Sequence, residues 1–330
     1  MKPVLLRAEH ISKSFGGVQA LKDISLTLNA GEVYGLIGPN GAGKTTLFNC
    51  LTGLYVPDAG QFVFNDAPLV SNAPDKTVRQ GIARTFQNIR LFANMTALEN
   101  VMVGRHARLR SNILSDILRT PFNRREEQAT EDMALQLLHY VGIAARAHDL
   151  AKHLSYGDQR RLEIARALAT NPRLLCLDEP AAGMNPGEKD QLRDLIRRLR
   201  DQFDLTILII EHHVPLMLGL CDRLAVLNFG RRIALGTPDQ VRQDPAVIEA
   251  YLAKRVKEVG GEIRKAEWIG RRGAPDRRVM RPGRAPVWVE LKAPGEKPTS
   301  QQLREHNRMR RLGELVEVID SIEGVEEFMK

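Results

Sequence analysis

The chain has 330 residues, 43% of them hydrophobic and 27% charged, which is enough for one sizeable globular domain plus a smaller one and excludes the composition of a disordered protein. Its formal net charge of +8 favours anionic partners, whether nucleotides, nucleic acid or lipid headgroups, without choosing among them. Cys50, Cys176 and Cys221 are too scattered for a disulfide framework or a zinc site, and no stretch approaches the roughly 18–20 apolar residues of a membrane span. A reducing cytosol fits, the start from Met1 to Arg7 is too poor in apolar residues for a signal peptide, and any membrane role would come through a partner.

Short β-type runs between Val4 and Ile37, with turns at Gly16-Gly17 and Asn29-Ala30-Gly31, read as strands leading into Gly38-Pro39-Asn40-Gly41-Ala42-Gly43-Lys44-Thr45-Thr46. Phe15 lies in the first turn, where an aromatic either stacks on a purine ring or plugs a small core. The nine-residue stretch reads as a phosphate-binding loop. Gly38, Gly41 and Gly43 let the backbone turn its N–H groups inward, and a helix opening at Lys44 aims its positive dipole end at the same point. A polyphosphate would lie in the cradle from Gly38 through Asn40 to Thr46, with Lys44 reaching its β- and γ-phosphates and the Thr45 hydroxyl on the bridging Mg²⁺.

Farther along, Gln61 to Phe64 reads as a strand, and Ile82 to Phe86 ends at Gln87, a strand-to-loop junction. From Thr96 to His153 the spacing becomes helical, with Leu135, Leu138 and Val141 on one stripe, as in an inserted helical subdomain. A charged turn is expected to break it over Pro121 to Glu127. Leu154-Ser155-Tyr156-Gly157-Asp158-Gln159 precedes a helix from Arg160 to Thr170. Ser155 caps that helix, and with Gly157 and the free first-turn amides it makes a second anion-binding helix end. The apolar strand Leu174 to Leu177 ends in Asp178-Glu179-Pro180. Asp178 can hold Mg²⁺, directly or through water, and Glu179 can orient or deprotonate a water that attacks a γ-phosphate. A helix over 187–202 leads to the strand Thr206 to Ile210, which ends in Glu211-His212-His213. Three βα units thus carry polar residues just beyond their strand ends, where parallel α/β sheets bind ligands.

The order of Gly38 to Thr45, Gln87, Leu154 to Gln159, Leu174 to Glu179 and His212 resembles the Walker A, glutamine loop, signature, Walker B and switch histidine of the ABC ATPases. The resemblance covers about residues 3 to 255 and is similar, through Ala181-Ala182-Gly183-Met184-Asn185-Pro186, to the cytoplasmic ATPase subunit of branched-chain amino acid importers. Asn185 stands where the wider family often has Asp. The resemblance implies an α/β P-loop NTPase fold over residues 1–245, with a helical subdomain over about 88–153. It implies ATP sandwiched between the loop of one subunit and Ser155, Gly157 and Gln159 of another, in a homodimer or a heterodimer with a paralogous ATPase. Glu179 would be the catalytic base and His212 would contact the γ-phosphate. Gln87 would join the metal site to the helical subdomain. The implied partners are two hydrophobic permease subunits and a periplasmic binding protein, with this chain peripheral on the cytoplasmic face of the membrane.

Beyond a helix from Ala246 to Val259, capped by Asp244-Pro245, the chain continues with strands over Gly261 to Trp268 and Val287 to Lys292, a helix near Gln301 to Leu312, a strand Leu315 to Asp320 and a closing helix. These make a second, small α/β module. Strand alternation places Glu290 and Lys292 on one face, and Asp276 arrives a short loop and strand earlier. Asp276 and Glu290 would bind Mg²⁺ or Mn²⁺, and Lys292 would position or deprotonate a water attacking a phosphodiester. Through Arg272-Gly273-Ala274-Pro275-Asp276, Val289-Glu290-Leu291-Lys292 and Gln302, residues 246–330 resemble the VRR-NUC group of the PD-(D/E)xK nucleases, a restriction-nuclease-like fold. That resemblance implies a further acid from the preceding helix, Glu249, and makes the arginines at 271, 272, 277, 278, 281 and 284 phosphate contacts for DNA. The bland reading is a surface Glu290–Lys292 pair and a solvated arginine loop. The chain as a whole then reads as a transporter ATPase with a nuclease-like module, as a soluble DNA-directed ATPase-nuclease, or as an ATPase whose tail only docks.

Overall fold

The computed structural model describes residues 3–106, 121–266, 268 and 271–330. Strands β1 (Val4–Phe15) and β2 (Val18–Asn29) pair with β4 (Ala59–Phe64) and β5 (Ala67–Pro68) in an antiparallel sheet of order β2-β1-β4-β5. A second sheet contains β3 (Val33–Ile37), β6 (Ile82–Arg84), β7 (Leu174–Asp178), β8 (Thr206–Ile210), β9 (Arg223–Asn228) and β10 (Arg231–Gly236). Its order is β10-β9-β3-β8-β7-β6, and every neighbour is parallel except the edge strand β10 on β9. β3, β7 and β8 are buried at every residue, as a parallel sheet covered on both faces requires, and so read as unbroken apolar runs.

One face of this sheet meets α1 (Lys44–Leu51) and the antiparallel sheet, through a core containing Leu47, Phe48, Leu51, Phe62 and Phe64. The other meets α3 (Ala97–Arg105), α4 (Pro121–Tyr140), α5 (Tyr156–Ala169), α6 (Pro186–Phe203) and α7 (Val214–Leu220), while α2 (Pro74–Gln80) leads into β6. Leu138 and Leu162 are fully buried there, a burial that contributes about 1.5–3 kcal/mol per side chain. The charged turn expected over Pro121 to Glu127 is instead the first two turns of α4. Proline is tolerated in a first turn because the amide it lacks has no intrahelical partner, and the charges that suggested a break line a polar helix face. Residues 107–120, part of the expected helical subdomain, lie outside the described residues. No helix among the described residues is long and apolar enough to cross a membrane, and all three cysteines are buried and unpaired with one another.

After the short α8 (Pro238–Arg242), α9 (Pro245–Glu258) joins the two parts of the chain. Its stripe of Val247, Ile248, Leu252 and Val256 belongs to the same apolar cluster as Leu216 and Leu220 on one side and Val279, Val287, Val289, Ile322 and Val325 on the other. Beyond it come β11 (Glu262–Lys265), β12 (Arg277–Met280), β13 (Val287–Leu291), α10 (Ser300–Arg311), β14 (Leu315–Ile319) and α11 (Ile322–Met329). The sheet order is β11-β12-β13-β14, with only the β13–β14 pair parallel. The strand expected over Gly261 to Trp268 is shorter, and residues 267, 269 and 270 fall outside the described residues.

α10 buries only His306 and Met309. His306 is fully buried, and neither ring nitrogen has a hydrogen-bond partner among the described residues. Burial first, then the charges of Arg310 and Lys292, hold its pKa below the ordinary imidazole value. The folded state therefore binds this proton less readily than the unfolded chain, so stability is complete above the unfolded histidine value of about 6.5 and declines as pH falls below it. Urea unfolding followed at pH 7.5 and pH 5 should show a smaller drop in midpoint for His306→Leu than for the unaltered chain. An equal drop in both proteins would remove this histidine from the account of acid sensitivity.

Candidate active site

The loop after β3 is shaped by steric necessity at two of its glycines. At Gly38 (φ 151°) a Cβ would lie 2.1 Å from the Leu227 carbonyl oxygen, and at Gly43 (φ 101°) one would lie 2.5 Å from that of Ala20. Gly43 is also the N-cap of α1 and offers no side chain to its first amides, so those donors stay available to an anion. The Lys44 ammonium crosses the loop, donating to the carbonyls of Gly38 at 2.8 Å and Pro39 at 3.0 Å. Its pKa is lowered, chiefly by burial and against the pull of Glu179. A cavity of about 630 Å³ opens here, lined by Asn40 to Thr46 together with Gln87, Glu179 and His212. Phe15 is not among its lining residues; it packs edge-on to Tyr55 with a 5.3 Å centroid separation and remains 43% exposed.

From Walker B, Glu179 reaches the cavity and Asp178 lies beside it in the chain. Asp178 is buried, with Oδ2 held 2.7 Å from Arg84 Nη2 while Oδ1 has no hydrogen-bond partner among the described residues. An orphaned buried carboxylate oxygen fits a hard divalent cation, so Asp178, with the hydroxyl of Thr45 from the loop, would hold Mg²⁺. Glu179 has φ 47°, a left-handed conformation that costs a non-glycine residue about 1–3 kcal/mol and is kept where surrounding structure enforces it. Here its Oε2 accepts from Gln87 Nε2 at 2.9 Å and lies 3.8 Å from His212 Nδ1. Glu211, given no role of its own from the sequence, is 1% exposed and accepts from the amides of Ala181 at 2.8 Å and His212 at 3.0 Å. It thereby ties the switch-histidine turn to the segment after Walker B. A buried acid at a strand end, next to a histidine, was the available signal.

Ser155 caps α5 by accepting from the Asp158 amide at 3.2 Å, and Gln159 donates to the Leu154 carbonyl at 3.0 Å. Neither these two residues nor Gly157 lines the cavity around Lys44, so the structure does not bring the signature to the loop of its own chain. It links the signature helix instead to the glutamine loop. Arg160, 2% exposed, donates to the carbonyls of Phe86 at 2.6 Å and Gln87 and to the Tyr156 hydroxyl at 2.9 Å, and it pairs with Glu163 at 3.2 Å. Glu163 in turn accepts from the Phe86 amide at 3.1 Å. Asn185 caps α6 by accepting from the Glu188 amide at 3.0 Å, a task Asp performs equally well, which accounts locally for the exchange of one for the other.

In the tail, Glu290 is 7% exposed and its Oε1 accepts from Gln302 Nε2 at 2.5 Å and Lys292 Nζ at 3.1 Å. Burial raises its pKa against the opposing pull of Lys292, and the charge of Asp276 raises it further. The expected three-acid metal set is not assembled. Arg277 stands between two of its members, donating to Glu249 Oε1 at 2.6 Å and 2.9 Å and to Asp276 Oδ2 at 2.5 Å. Among the described residues no group of three or more His, Cys, Asp or Glu is placed to hold a metal. Several of the loop arginines are likewise engaged internally: Arg278 lies over Trp288, Arg281 over Phe328, and Arg284 donates to the Lys330 carbonyl. A guanidinium on β12 neutralises acids that spacing alone presented as free.

Gly38→Ala should abolish ATP binding, as read by equilibrium dialysis, because the clash is with backbone. Arg160→Met should cost about 3–5 kcal/mol, the usual penalty for leaving a buried partner charge alone, and Arg160→Met/Glu163→Met should recover most of that stability. ATPase activity should stay low in the double variant, since the tether to Gln87 is still missing; full activity there would contradict the coupling role.

Comparison with known proteins agrees with this arrangement. Residues 21–182 match the family described as ABC transporter, and residues 231–252 match that described as branched-chain amino acid ATP-binding cassette transporter. Over 254 residues, 77% of this chain and 100% of the relative, the sequence is 45% identical to the high-affinity branched-chain amino acid transport ATP-binding protein LivG of Escherichia coli (strain K12). It is 44% identical to BraF of Pseudomonas aeruginosa over the same length and shares. The solved ADP conformation of MJ1267, an ATP-binding cassette of an ABC transporter, superposes with a TM-score of 0.66 at 34% identity, covering 76% of this chain and 98% of that one. Strand ends, loop and sequence agree: the chain belongs to the ATP-binding proteins of ABC transporters, on the branch that includes LivG and BraF.

Proposed function

We propose that this protein is the ATP-hydrolysing subunit of an importer for branched-chain amino acids. The observation that carries the reading is Glu179, held at the lip of the phosphate cavity by Gln87 and facing His212. In the step proposed, Glu179 takes a proton from a water that attacks the γ-phosphorus, the bond to the β-phosphate oxygen breaks, and ADP and inorganic phosphate result. A bound Mg²⁺ would supply charge neutralisation of the phosphates. Lys44 and the α1 amides hold the transferring group, and His212 steadies its charge. Ser155, Gly157 and Gln159 do not line this cavity in their own chain, which supports a composite site with a second ATPase subunit, identical or paralogous. Two permease subunits and a periplasmic binding protein would complete the assembly, with this chain on the cytoplasmic face. The support is the likeness to LivG and BraF, whose names state branched-chain amino acid transport.

For the tail we propose a metal-dependent phosphodiesterase of nuclease type. What supports it is a buried acid on β13, a lysine just after that strand and a glutamine on α10 that meet, with the charge of Asp276 felt by the acid. Two acids whose charges oppose one another are what a divalent cation relieves, so Asp276 and Glu290 would hold Mg²⁺ or Mn²⁺. The cation would polarise a phosphodiester. Lys292 would position the attacking water, and Arg277 would have to release Asp276. DNA is the partner proposed for this module.

Glu179→Gln should lower steady-state ATP hydrolysis by about 10²–10⁴, the span general-base catalysis supplies, while ATP is still bound; hydrolysis at an unchanged rate would refute the assignment. For the tail, plasmid and single-stranded DNA incubated with Mg²⁺ or Mn²⁺ should be cut by the full chain and not by Lys292→Ala. No cutting of any DNA form, or equal cutting by the variant, would leave the module without this activity.

A further inference from the structure

The phosphate cavity has a wall that neither Walker motif supplies. Lys254 and Glu258, one turn apart on α9, line it together with Lys44, Gln87, Glu179 and His212. They lie beyond residue 252, where the match to the branched-chain cassette family ends. Lys254 is well packed, with its side chain 18% exposed, and its Nζ donates to the His212 carbonyl at 3.2 Å. Its only carboxylate within ion-pair distance among the described residues is Glu258, at 3.7 Å and itself 44% exposed. An i,i+4 pair of that length and exposure contributes little, so the ammonium is held near the cavity without being consumed by its neighbour. Its charge reaches Lys44 strongly enough to count among the causes that lower the Lys44 pKa.

We infer that Lys254 is a nucleotide-contacting residue, a second ammonium for the terminal phosphate of ATP supplied in cis by the helix that begins the tail, with Glu258 as its counter-ion in the absence of nucleotide. The placement beside His212 and Glu179 puts it at the hydrolysed end of the triphosphate, so it discriminates ATP from ADP. Two cations sharing one wall repel each other and are relieved by a polyanion. α9 also grips the tail. Tyr251 donates to Glu326 at 2.5 Å, Arg255 donates to the same carboxylate at 2.8 Å and 3.0 Å, and Glu249 accepts from Arg277. A pull on Lys254 is therefore a pull on the helix from which the tail hangs.

Titration of the full chain with fluorescent ATP and ADP analogues, in EDTA to prevent turnover, tests this directly. Lys254→Gln should weaken ATP about tenfold and ADP less than threefold, Lys254→Arg should keep near-native ATP affinity, and Glu258→Gln should tighten ATP. Thermal unfolding run in parallel separates misfolding from lost contact, and if Lys254→Gln is unstable the Arg and Glu258 variants still decide. The inference is overturned if Lys254→Gln binds ATP normally, if ATP and ADP weaken equally, or if Glu258→Gln weakens ATP.

Discussion

The active site depends on the register of three buried parallel strands. Ile210 on β8 lies between Leu36 on β3 and Asp178 on β7, so the residues that follow each strand emerge side by side: the glycine loop after β3, Glu179 after β7, and Glu211 and His212 after β8. Backbone hydrogen bonds and complete apolar burial hold that row in place. A slip of one residue in any strand would turn its inward side chains around and carry the polar residues that follow it to another level. Loop, carboxylate and imidazole are thus not separately positioned; the sheet places all three, and the strained backbone of Glu179 is tolerable because the Glu179 amide is itself fixed to the Ile210 carbonyl at 2.9 Å.

Around that row, buried ions connect separate elements. Arg84 reaches Asp178 while also touching Asn49 and Thr52 of the α1 end, and Arg160 with Glu163 clasps the backbone of Phe86 and Gln87. Buried ion pairs gain little stability over apolar replacements of the same volume. Their value here is geometric, since the guanidinium at 160 makes the position of Gln87 depend on the signature helix. Whatever moves α5 moves the amide that holds Glu179.

Much of this was legible in the chain itself. Gly38 to Thr46, Asp178-Glu179 and His212 are short-range motifs whose spacing carries their chemistry, and the uninterrupted apolar runs before them announced parallel strands. What escaped detection depended on long-range partners. Pro121 signalled a break and is a helix start, because first-turn proline and helix-breaking proline look the same in one dimension. Arg160 and Glu163 lie in a helix whose spacing was legible, but their burial and their grip on the glutamine loop come only from the fold. Asp276 and Glu249 looked like free acids, but β12 brings Arg277 between them. Lys254 sits in a helix whose apolar stripe was evident, yet only the fold reveals that its opposite edge faces a phosphate cavity.

One chain supplies one loop and one signature helix end, and within that chain the two do not meet. The central claim is therefore that hydrolysis needs two chains. Mixing Lys44→Ala protein, which lacks a working loop, with Ser155→Arg protein, which lacks a working signature, creates mixed dimers with one intact composite site. ATP hydrolysis measured on the mixture should rise well above that of either variant alone, toward a fraction of the rate of the unaltered chain. A mixture as inactive as its components, under conditions where the unaltered chain alone hydrolyses ATP, would contradict the account.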